Sequence, residues 1–143
     1  MKKVESTYAG FLDGYIAGNL TVNSHELSYH CKKISSFIDN LKTETELWQL
    51  PDYGRVYESL FDNNHQIIDK VNKYPADLAL YKELGNNLIE IVNLVTKLKE
   101  KLTVNSTYLI KKIIYHYLNI AETTKTEDIK SLAITMTEKF QTL

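Results

Sequence analysis

Cysteine is almost missing from this chain. Cys31 is the only one in 143 residues. That excludes an internal disulfide and fits a reducing compartment. Proline occurs twice and glycine five times, too few for a flexible linker or for glycine-rich loops that cradle phosphate. There is no P-loop, GxGxxG or GxSxG, and no HExxH, CxxC or Glu-x-x-His. Each of those spacings is what its chemistry needs, so cofactor, nucleotide and zinc sites have no motif to rest on. No run approaches the ~18 apolar residues of a membrane span. Lys2 and Lys3 are not followed by an apolar run of signal-peptide length. These absences lead us to expect a cytoplasmic location, in a host cell if the source is viral.

Charge of one sign is missing too. Seventeen Lys plus Arg face 18 Asp plus Glu, for a formal net charge of −1. Residues 1–75 carry 8 basic and 10 acidic side chains, and residues 76–143 carry 9 and 8. Without a basic excess, phosphate binding has no general electrostatic drive, which argues against nucleic acid as a partner. Lys97, Lys99, Lys101, Lys111 and Lys112 could gather near one end of the bundle, but Glu100 dilutes them, and cations favour a helix C-terminus in any case. Arg55 is the only arginine among the 17 basic residues, while Lys, Asn, Ile and Tyr are frequent. This bias marks AT-rich coding, as in a low-GC bacterium, a phage or other mobile element, or a large DNA virus.

What is present is helical periodicity. Hydrophobic residues make up 43% of the chain, enough for a core without metal or disulfide staples. Residues 4–17 repeat apolar positions at Val4, Tyr8, Phe11 and Tyr15. From Ser24, with Asn23 as cap, Leu27, Cys31, Ile34, Ile38 and Leu41 step by 4, 3, 4 and 3. One or two helical turns are expected over 43–50. A helix over 55–73 has Val56, Leu60, Asn64, Ile67, Val71 and Tyr74 on one stripe, with a kink at Asp62-Asn63-Asn64. The clearest helix covers 76–102. Tyr81, Leu84, Leu88, Ile91, Val95, Leu98 and Leu102 form its seam, and Asn87 falls on its polar face. Over 107–121, capped by Ser106, only Lys111, Lys112, His116 and Asn119 are polar. Those four fall within an arc of about 140°. A helix this apolar belongs at the centre or under a partner, so a homodimer is expected. Thr124-x-x-Glu127 reads as the capping box of a last helix carrying Ile129, Leu132, Met136 and Phe140. The chain thus predicts an all-α, compact, single-domain bundle of five to six helices, with helices 76–102 and 107–121 central.

The candidate chemistry is sparse. His25, His30, His65 and His116 lack ligand spacing and read as surface or interface histidines. Cys31 lies on an apolar seam, where a thiol stays protonated. Lys111-Lys112-x-x-x-His116 resembles the arginine–histidine motif of the HEPN ribonuclease families, which are small helical bundles, with Lys standing where those families have Arg. The resemblance implies a ribonuclease-like enzyme using Lys112 and His116. Tyr53-Gly54-Arg55-Val56 resembles the Gly-Arg core of the first homology motif in Bcl-2-like proteins. The Asn-Trp pair that precedes that core is missing here. This resemblance implies a viral protein that binds an amphipathic helix in a surface groove.

The least routine segment is 47–55. It holds Trp48, Tyr53 and Arg55, stiffened by Pro51. Trp, Tyr and Arg are the residue types enriched at binding hot spots. They are the expected partner-binding residues, with no catalytic, cofactor or metal residue assigned. The expected function is non-catalytic binding of another protein by an adaptor, inhibitor or immunity-type module.

Overall fold

A computed structural model describes residues 24–44, 51 and 54–141. Five α-helices account for most of these: α1 (Ser24–Glu44), α2 (Gly54–Lys73), α3 (Leu78–Lys97), α4 (Val104–Thr124) and α5 (Glu127–Phe140). A single 3-10 turn, Lys99–Lys101, joins α3 to α4. Among the described residues there is no strand. The helix expected over 4–17, the Asn23 cap and the turns expected beyond Glu44 lie outside the described residues. The molecule is an all-α bundle.

The seam of α1 is as expected, with Leu27, Cys31, Ile34, Ile38 and Leu41 all fully buried. On α2 the buried arc is rotated by about 40° from the expected stripe. Tyr57, Phe61 and Ile68 are buried, while Val56 and Tyr74 are 48% and 62% exposed. The two aromatic rings bury more apolar area than the residues they displace. The helix runs unbroken through Asp62-Asn63-Asn64. Asn64 turns inward and donates from Nδ2 to Asn87 Oδ1 at 3.0 Å. Asn87, expected on the polar face of α3, is therefore buried, and its own Nδ2 donates to the Leu60 carbonyl at 3.0 Å.

Helix α3 starts on a side-chain cap, Asp77 Oδ1 accepting from the Ala79 N–H at 3.0 Å. It ends at Lys97 rather than Leu102. Its 20 residues span about 30 Å instead of about 40 Å. Leu98 and Leu102 are only partly buried, so little holds a longer helix against the core. Helix α4 begins earlier than expected. Thr103, not Ser106, is the cap, accepting from the Ser106 N–H at 2.9 Å. The expected capping box at Thr124 is not formed. Thr124 ends α4, Lys125 turns left-handed at φ 53°, and Thr126 leads into α5 without a side-chain cap bond. A left-handed C-cap lets two helices join through two residues.

The helices close a ring around one core. α3 packs against α2, α5 and α4, and α4 packs against α1, α5 and α3. Among the described helices these two each pack against three others, as expected for 76–102 and 107–121. Gly85 makes the α3–α4–α5 junction possible. A Cβ there would lie 2.8 Å from Tyr117 Cζ and 2.9 Å from Leu132 Cδ1. Its absence lets the Tyr117 hydroxyl donate to the Tyr81 carbonyl at 2.7 Å. No helix among the described residues is long and apolar enough to cross a membrane.

Candidate binding surface

The α1–α4 contact carries an unusual polar pair. His30 of α1 meets His116 of α4, Nδ1 to Nδ1 at 2.9 Å, and both are buried. One nitrogen must donate and the other accept, so the two uncharged rings are opposite tautomers. His116 was expected on the polar stripe of its helix. Phe37 stacks on it at 5.7 Å and Tyr115 meets it edge-on at 5.1 Å. Burial, aided by His30, Lys112 and Lys33, lowers its pKa to about 4. Burial also lowers that of His30, against the pull of Glu26. Both rings are therefore neutral at pH 7, able to accept or share a proton but holding no positive charge.

His65 and Cys31 are held structurally. His65 bridges α2 to α1, with Nε2 at 2.8 Å from Asp39 Oδ1 and Nδ1 at 3.3 Å from Ser35 Oγ. Burial pushes the Cys31 thiol up to about 12, so it is not a ready nucleophile. Among the described residues no three His, Cys, Asp or Glu side chains converge as a metal site would require.

Outside the histidine pair lies a row of exposed aromatic rings. Tyr29 of α1 and Tyr108 and Tyr115 of α4 keep 52%, 50% and 52% of their surface exposed. Lys33 Nζ sits 5.6 Å from the Tyr29 ring centre, and Lys112 Nζ sits 5.2 Å and 5.8 Å from those of Tyr115 and Tyr108. Neither lysine forms an ion pair among the described residues. Lys112 and His116, paired by the ribonuclease resemblance, thus point to different tasks: the ammonium over tyrosine rings, the imidazole into the α1 contact. Val104 and Leu118 are also exposed on α4. Beside Leu118 runs a groove between α4 and α5 lined by Ala121, Ala133 and the exposed Ile134, with Glu122, Lys125, Glu127 and Lys130 around them. The apolar composition of residues 107–121 was the signal for this face. The tyrosines' pairing with lysines from two helices depended on how α1 and α4 pack.

Arg55 stands in the first turn of α2, exposed, at a groove shared with Glu58, Asp62 and Glu90. It makes no hydrogen bond or ion pair among the described residues. Trp48 and Tyr53, its expected companions, lie outside the described residues. No family model matches the chain, and comparison with curated proteins and with solved structures returns no match.

Proposed function

We propose that this chain is a non-catalytic protein-binding module of the adaptor, inhibitor or immunity type. It works in a cytoplasm, and its main contact face is the outer side of α4 with Tyr29 of α1. The observation that carries the reading is the row Tyr29, Tyr115 and Tyr108, half exposed, with Lys33 and Lys112 resting on the rings. Tyrosine buries a large area at low entropy cost, and its hydroxyl supplies a directional bond. The lysines keep their charge available for a carboxylate of the partner. A ribonuclease would need His116 to exchange a proton with substrate, and its burial against His30 and Phe37 favours binding instead. Arg55, with Trp48 and Tyr53, serves as a second contact point.

The test compares tagged wild-type protein with a Tyr108→Asp/Tyr115→Asp variant in capture from the native host. Both residues are exposed, so the variant should stay helical at an unchanged melting temperature. It should lose the captured partner. Arg55→Ala should weaken the same capture by about 1–3 kcal/mol without altering stability. Equal recovery of the same proteins by the tyrosine variant would contradict the reading.

A further inference from the structure

We infer that the occupant of the α4 face is a second copy of this chain, packed with its α4 antiparallel across a two-fold axis. The inference rests on the reading of α4 as a contact face and names who makes the contact. Val104, Tyr108, Lys111, Tyr115, Leu118 and Glu122 are all exposed on α4. At about 100° per residue they fall within an arc of about 80°, one straight stripe. A two-fold contact is self-complementary, so a stripe that pairs with itself must match its own reverse.

This one does. An axis crossing α4 between His116 and Tyr117 sets Tyr115 opposite the partner's Leu118. It sets Lys111 opposite the partner's Glu122. Every pairing occurs twice. Lys111 and Glu122 have no ion pair within their own chain among the described residues, so each is free to take the other's counterpart. Tyr115 arrives at Leu118, on the rim of the groove lined by Ala121, Ala133 and Ile134, which gives its ring an apolar neighbour. Other arrangements fit worse. A parallel two-fold would set Lys111 against its own copy. Sliding the antiparallel pair one turn toward the N-terminus leaves Lys111 opposite Asn119 and Glu122 opposite Tyr108. Sliding it by the same step the other way sets Lys111 opposite Lys125, two like charges.

Sedimentation equilibrium of the full chain between about 1 μM and about 1 mM tests the pairing, with circular dichroism as a fold control. Wild type should be a dimer that loosens as salt rises. Leu118→Asp should be a monomer. Lys111→Glu and Glu122→Lys should each weaken the dimer by about 5-fold or more, because the two-fold doubles each loss. The double swap Lys111→Glu/Glu122→Lys should return to within about 2-fold of wild type. A wild-type monomer throughout the range overturns the inference. So does a dimer indifferent to the single swaps, or one the double swap fails to restore. Those outcomes leave the function reading to its own test, the loss of a different captured protein by the tyrosine variant. Conversely, a dimer that obeys the swaps, with no other partner lost by that variant, upholds self-pairing and removes the adaptor reading.

Discussion

The polar contact between α1 and α4 is made by two titratable rings. The neutral His30–His116 pair is faced by Glu26 and Lys33 from α1 and by Lys112 from α4. Both histidines titrate below their ordinary value of 6.5, His116 at about 4. Between those limits the unfolded chain binds more protons than the folded one. Stability should therefore fall as pH drops from 6.5 toward about 4, with no further loss from His116 below that. Urea midpoints at pH 7 and pH 4.5 should differ more for wild type than for His116→Phe, in which one titrating ring is gone. Equal differences would contradict the pair's role. The sequence could not show this contact. The two histidines stand 86 positions apart, and His116 shares its local pattern with Lys112 and Asn119, which read as a solvated stripe. Only the packing of α1 on α4 turns that ring inward. Arg55, by contrast, is exposed in the first turn of α2.

At the level of whole helices, two junctions are held by features other than apolar area. Gly85 on α3 admits Tyr117 of α4. Gly85→Ala should gain about 1 kcal/mol in helix propensity, yet its Cβ would crowd Tyr117 and Leu132. The net cost should be about 1–3 kcal/mol in thermal unfolding. Combining it with Tyr117→Phe should recover part of that cost, since the hydroxyl is the closest atom. Between α2 and α3 the Asn64–Asn87 bond fixes register. Asn87→Leu strands the Asn64 amide in the core, where Asn64 Oδ1 already lacks a partner, and should cost about 1–3 kcal/mol. Replacing both by Leu should recover most of that loss, because no buried polar group is then left unpaired. Long seams such as Leu27 to Leu41 were legible because a 3–4 step leaves few other structures. The helix ends were harder. Thr103, Ser106, Thr124 and Thr126 all carry a hydroxyl able to cap, and of these Thr103 makes the cap bond of α4 while Thr126 precedes α5 without one.

For the molecule as a whole, periodicity alone was enough to specify an all-α bundle, and the connectivity of α3 and α4 follows from how apolar they are. The contact face was half legible. The sequence showed that residues 107–121 are too apolar for a surface helix, and left open whether the same chain covers them. In the bundle the inner side, with Ile110, Ile113, Ile114 and Tyr117, is buried, while Tyr108, Tyr115 and Leu118 stay outside. The central claim is that this outer side meets another protein. A photo-crosslinking residue placed at Tyr115 tests it most directly in the native host, with the same residue at Tyr74, exposed at the end of α2, as the comparison. Both positions tolerate an aromatic side chain. Crosslinked adducts to protein, whether to a second copy or to another chain, should form at Tyr115 and be scarce at Tyr74. Adducts that form equally at both positions, or only at Tyr74, would contradict it.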